Sequence, residues 1–374
     1  MKLPFLFTLL YLSVFSSLLY FSRSTIYGVI IVAAIFLTVA MLNKIKKQHV
    51  VLLSCIMLIL TIQYMRSVVN YDIGLATGTY LKYILYVLFV YLAIYHANKY
   101  SDFKKIANII HMSAAITVLL SIYLNKYQVI NNYERMTGFN YSAVSVSILS
   151  GISLLYIIYE YLNKENTGIS RIIILSVFFL ISFIGLVESG SRQVMVGLIL
   201  MIIIYLHSVN KLLILPVIIT GTIAGIHIFS ERLIKFYDIV SLIIVNVSLD
   251  EVKDSSLTAR ISFLETILNE LSGVDLLIGS GLNSFPSIYE ITSGRENVAA
   301  HFDITLIISE FGIIGLVIFA FFLLKRIVWS RDVKERVILI FYVVGLSANN
   351  LFYYFPFAIA VMYLYVYNYK CHDF

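Results

Sequence analysis

Charge is scarce in this chain. Asp, Glu, Lys and Arg together make up 13% of its 374 residues, while 60% are hydrophobic. With a mean hydropathy of +0.92, a composition so poor in solvated side chains leaves no water-soluble fold as an expectation. Cysteine is nearly missing as well: Cys55 falls in an apolar run and Cys371 in the C-terminal tail, so no disulfide is expected. The sequence has no G-x-x-x-x-G-K-[ST] loop, no H-E-x-x-H and no paired CxxC. Nor has it a D-x-D run of the kind that holds Mg²⁺ against the phosphates of a sugar nucleotide. Its histidines are scattered: His49, His96, His207 and His372 fall on or near one side of the apolar segments, and His111 and His227 fall inside them. No metal and no cofactor is expected. Alternating ten-residue segments are absent, which argues against an outer-membrane barrel, and no long-period repeat or independent soluble domain stands out.

What is present is a succession of apolar runs. A helix crossing a bilayer needs about 20 predominantly apolar residues, and about twelve segments approach that length. They lie near 3–21, 26–42, 50–65, 80–95, 106–124, 141–162, 172–187, 194–206, 212–229, 302–324, 337–352 and 357–369. The first follows Lys2 without a small-residue cleavage site and reads as a membrane helix rather than a secretory signal. The expected fold is an all-α polytopic membrane protein, with residues 1–374 forming one integral membrane domain.

Lys and Arg placement sets the expected orientation. Lys44, Lys46 and Lys47, then Lys99, Lys104 and Lys105, then Lys164, Arg171 and Lys211 fall in alternate loops. Lys325, Arg326, Arg331, Lys334 and Arg336 form the densest cluster on that same side, and Lys370 lies in the tail. The opposite side carries only the isolated Arg23, Arg66, Lys82, Lys126, Arg135 and Arg192. Both termini are therefore expected in the cytoplasm. The net charge of +6 is then mainly an orientation signal, and no nucleic-acid partner is implied.

Most outer loops are short, but 230–300 runs for about 70 residues, and loops of that length usually serve a function. Within it, Leu257, Ile261, Leu264, Leu268 and Leu271 recur at helical spacing until Gly273. This predicts an amphipathic helix lying on the membrane surface or on the transmembrane bundle. Residues 231–247 mix charged and apolar side chains and suggest a second interfacial helix, whereas 279–286 read as a turn-rich connector.

Four chargeable sites on this outer face carry the chemical reading: Arg135, Arg192, Arg260 and His301. Three arginines around one cavity would neutralise a diphosphate, since the guanidinium fork donates two hydrogen bonds to phosphate and stays charged. Each residue also has a plain reading. Arg135 would pair with Glu134, Arg192 with Glu188, Arg260 would be a solvated loop charge, and His301 would simply begin a helix. Gly312 and Gly315 read as close-packing positions rather than ligand contacts.

These landmarks resemble a family. His301, followed at Gly312 and Gly315 by G-x-x-G, resembles the H-[NSQ]-x9-G-x-x-G signature of bacterial O-antigen ligases and related polymerases. Ser191-Arg192 looks like the S-R element of that superfamily, Arg135-x-Thr137-Gly138 is similar to its R-x-x-G element, and Arg260 matches its loop arginine. Gly279-x-Gly281 resembles the glycine run that precedes the family's histidine. The resemblance spans 135–315 as ordered landmarks. It implies a metal-independent membrane glycosyltransferase of the GT-C type that takes a saccharide from undecaprenyl diphosphate outside the cytoplasmic membrane of a bacterium. In that scheme Arg135, Arg192 and Arg260 hold the donor diphosphate, and His301 takes a proton from the acceptor hydroxyl or orients it, with inversion at the anomeric carbon. Asp303 and Glu310 are candidates to support the imidazole, Asp303 being the poorer because residues two apart on a helix diverge.

Two reactions fit this scheme. A polymerase passes the growing chain to the next lipid-linked repeat unit of an O-antigen or capsule; a ligase passes the finished polymer to lipid A-core. Phe302 stands where the family has a small polar residue after the histidine, which favours polymerase. The expected partners are the undecaprenyl-diphosphate-linked oligosaccharide, membrane lipid and a chain-length regulator protein. A lipid-linked oligosaccharide flippase or transporter is the alternative of a different class, although charge here gathers at the outer ends of segments rather than near a midplane.

Overall fold

The computed structural model describes residues 47–71, 73–96, 115–130, 133–136, 143–162, 169–209, 255–294, 302–329 and 333–343. The expected spans at 3–21, 26–42, 212–229 and 357–369 lie outside these residues, as do the interfacial helix expected at 231–247 and His301.

Among the described residues the fold is all-α apart from one small hairpin. The elements run α1 (Lys47–Asn70), α2 (Ile73–His96), a helix α3 described over 115–123, β1 (Tyr127–Ile130), β2 (Tyr133–Met136), α4 (Ala143–Leu162), α5 (Ile169–Ser189) and α6 (Arg192–Val209). They continue with α7 (Ser255–Glu270), α8 (Gly273–Ile278), α9 (Ser284–Ser293), α10 (Asp303–Trp329) and α11 (Val333–Phe341). Among the described residues, α10 is the one helix long and apolar enough to cross a membrane by length and composition.

The bundle interior mixes apolar and hydroxyl-bearing side chains: Ile148, Leu149, Ile152, Leu155 and Tyr156 of α4 and Leu175 and Leu186 of α5 are buried, and serines are buried among them. Along the α4–α5 seam the buried residues include Ser147, Ser150, Ser153, Ser182 and Ser189. The Ser182 hydroxyl donates to Ser153 Oγ at 2.8 Å, and Gly185 lets α5 come into contact with Val118 of α3 and Ser150 of α4. Gly151 on the same helix is closed over by Val194 of α6 and Phe341 of α11. Other large apolar side chains point outward: Leu58, Ile62, Met65 and Val69 on α1; Ile173, Val177, Leu180 and Ile184 on α5; Val317, Phe321, Leu324 and Val328 on α10.

The loop helices form a conventional core on the first half of α10. Phe263, Ile267 and Leu271 of α7 pack with Phe285, Ile288 and Tyr289 of α9 and with Leu306 and Ile308 of α10. Phe263 meets Phe285 edge-on at 5.4 Å and Tyr289 at 4.9 Å between ring centroids. The amphipathic helix expected from the sequence is thus present and seated on the bundle, but its buried stripe is rotated. Leu268, part of the expected stripe, is 42% exposed, because the aromatic anchor Phe263 sets the docking face. The stretch expected as a turn-rich connector, 279–286, contains the start of α9. Pro286 sits in that helix's first turn, where no intrahelical N–H is needed.

Helix α10 is broken. Gly312 has φ 68° and ψ −171°, a conformation essentially restricted to glycine. The break separates a buried first part, carrying Asp303, Thr305, Ser309 and Glu310, from a second part whose apolar side chains are largely exposed. A side chain at Gly312 would strike the backbone of Leu277 and Gly279, and one at Gly279 would strike the backbone of Glu310 and Phe311. Two backbones therefore cross here with no Cβ between them.

Candidate active site

One end of the bundle collects several of the residues singled out above. Ser153 pairs with Ser182, and Ser150 lies against Gly185, so α4 and α5 are antiparallel and the start of α4 lies beside the end of α5. The hairpin precedes α4, and β2 packs on both α4 and α5. Arg135 lies on β2 opposite Gln128. At the end of α5 the chain turns through Gly190, at φ 68°, and α6 begins at Arg192. Arg135 and Arg192 thus belong to elements that meet at the same end.

The start of α10 is linked to α4 and to the first turn of α6 through α11. Val194, in the first turn of α6, and Phe341 of α11 close over the same glycine, Gly151. The next residue, Tyr342, donates its hydroxyl to Asp303 Oδ2 at 3.0 Å. Asp303 is the first residue of α10, 1% exposed, where a carboxylate is favoured by the helix dipole. Arg260 is half-buried on α7, one turn before Phe263, on a helix that packs against α9 and α10. His301 lies outside the described residues, two positions before Asp303 in the chain.

Deeper along α10, Glu310 is 1% exposed and both of its oxygens are engaged. The Tyr83 hydroxyl of α2 donates to Oε2 at 2.5 Å, and the Asn283 backbone N–H donates to Oε1 at 2.8 Å. Asp303 and Glu310, seven residues apart, share one helix face about 10 Å apart along the axis. The ammonium of Lys82, on α2, acts electrostatically on both carboxylates, with Glu310 the stronger partner. Glu310 joins three elements: α10, α2 and the connector before α9.

Several residues here were missed or misread from sequence. Lys82 and Arg66 read as isolated loop cations, but both lie inside helices. Arg66 forms an ion pair with Asp275 of α8 and donates to Gly279 O at 2.8 Å. The signal was available: cations within apolar runs at helical positions usually have a partner. Tyr83 and Tyr342 carried no local signal among 28 tyrosines. Among the described residues no group of His, Cys, Asp and Glu could hold a metal ion.

Compared with protein families, curated proteins and solved structures, the chain matches none of them.

Proposed function

We propose that the chain is a surface-polysaccharide polymerase of the bacterial cytoplasmic membrane. It transfers a growing glycan from undecaprenyl diphosphate to the next lipid-linked repeat unit, without a metal and with inversion. The reading rests on the ordered sequence landmarks. The single structural observation that supports it is that β2 and the first turn of α6, which carry Arg135 and Arg192, meet at one end of the α4–α5 pair, while α11 links the first turn of α6 to Asp303 at the start of α10. Separately, the large apolar side chains exposed along α1, α5 and α10, with serines and glycines packed in the α4–α5 seam, favour an apolar surrounding medium.

In this mechanism Arg135, Arg192 and Arg260 hold the diphosphate and offset the charge that develops on the leaving oxygen. His301 accepts the proton of the attacking hydroxyl. Asp303 and Glu310 are the candidates to orient the imidazole, and each is itself held in place, Asp303 by Tyr342 and Glu310 by Tyr83 and Asn283.

The test is the glycolipid profile of a deletion strain complemented with His301→Ala. Products limited to a single repeat, with normal protein level, are expected; unchanged saccharide laddering refutes the assignment. Polymer that accumulates on the lipid carrier would indicate a ligase instead. Elongation of a lipid-linked repeat by purified protein in detergent would exclude a transporter.

A further inference from the structure

The stretch between α7 and α9 reads in sequence as part of an extramembrane loop, yet it is wedged between α1 and α10. Leu277 O and Gly279 N abut Gly312. Gly312 lies nine residues beyond the start of α10, about 14 Å along the helix. From Gly312 to Lys325, the first cation at the far end of α10, the rise is about 20 Å. A hydrocarbon core is about 30 Å thick. If Lys325 marks one boundary, the other passes Gly312 by about 10 Å, and α8 is inside it.

The surface and the polar groups agree with that depth. Val274 is 63% and Leu277 51% exposed on α8. Apolar side chains are exposed on both elements that hold α8: Ile62, Met65 and Val69 on α1, whose Gln63 bonds to Ile278, and Ile313, Ile314 and Val317 on α10, beside the Gly312 that abuts Leu277. Non-helical backbone survives at membrane depth only when its polar groups are satisfied by protein, and here several of them are. Gln63 Nε2 donates to Ile278 O at 2.7 Å, Arg66 to Gly279 O at 2.8 Å and the Ser67 hydroxyl to Leu282 O at 2.5 Å. Ser280 N–H donates to Ser309 O at 2.9 Å and Asn283 N–H to Glu310. The Asp275 carboxylate is paired with Arg66.

We infer that residues 273–283 form a re-entrant segment whose Val274 and Leu277 face the hydrocarbon of the bilayer. This rests on α10 spanning the membrane, and the experiment separates the two. Single cysteines are placed at Leu277, Phe321 and Glu290 in a Cys55→Ala/Cys371→Ser background, spin-labelled and reconstituted in phosphatidylcholine vesicles. Relaxation by oxygen and by a water-soluble nickel chelate is then compared. The expected result is an oxygen-to-nickel ratio at Leu277 close to that at Phe321 and several-fold above that at Glu290. A nickel-accessible Leu277 beside a lipid-buried Phe321 overturns the re-entrant segment alone. Nickel access at both overturns the membrane span of α10 as well. Protection of Leu277 from both reagents overturns the lipid contact in favour of a protein one.

Discussion

At the scale of single residues, the crossing of Gly279 and Gly312 is the least forgiving point in the structure. Both glycines have positive φ with extended ψ, which costs any other residue about 1–3 kcal/mol, and both have backbone where a Cβ would go. Gly312→Ala is expected to lower thermal stability in detergent by at least that amount. Gly294→Asn is the control: its φ of 67° lies in the left-handed region and nothing approaches its Cβ position, so its midpoint should barely move. Glu310→Ala orphans the Tyr83 hydroxyl and the Asn283 N–H, a loss of about 1–3 kcal/mol. Glu310→Gln keeps an acceptor and should recover part of it, as read by the same melting curves. Glu310 was legible in sequence as a carboxylate within an apolar run. Its partners were not, because a backbone N–H and one tyrosine among many leave no local trace.

At the scale of elements, apolar runs of sufficient length announced α1, α2, α4, α5, α6 and α10, with ends displaced by a few residues. The hairpin was not legible: strands of four residues, YQVI and YERM, are too short for an alternation of period two to register. Helix α9 was hidden by the Gly, Asn and Pro residues around its start. The break in α10 was hidden for the opposite reason, since Gly312 within a uniformly apolar segment reads as a packing position until its backbone is seen. The junction of α1 with α8 gives an ordered prediction. Arg66→Ala removes both the ion pair and the donor to Gly279 O, whereas Asp275→Ala leaves that second bond in place. Each variant leaves one partner of the ion pair alone, so both are expected to lower the unfolding midpoint, Arg66→Ala by more than Asp275→Ala, measured by thermal unfolding.

At the scale of the whole molecule, the all-α class was the most legible property because it depends on sums, while the orientation is a prediction from lysine and arginine placement. The convergence of distant elements was not legible, because it depends on which helix packs against which. The lysine and arginine bias predicts that native Cys371, in a Cys55→Ala background, resists a membrane-impermeant maleimide in intact cells and reacts after permeabilisation. Reaction without permeabilisation would invert the topology and move Arg135, Arg192 and Arg260 to the wrong side for a lipid-linked donor. The arginine chemistry is testable at this scale too. Arg260→Lys preserves charge but loses the planar fork, and a clear fall in polymer formation is expected in a cell-based glycolipid assay. Unchanged activity would show that Arg260 makes no bidentate diphosphate contact.

The grip of α1 on the segment beneath it has one more consequence. Gln63, Arg66 and Ser67 hold the carbonyl oxygens of positions 278, 279 and 282, and carbonyls are common to every amino acid. The grip is therefore blind to side-chain identity at 278 and 282 and strict about spacing. Swapping either residue for another of similar bulk should be tolerated, while inserting a single residue between them should throw every bond out of step.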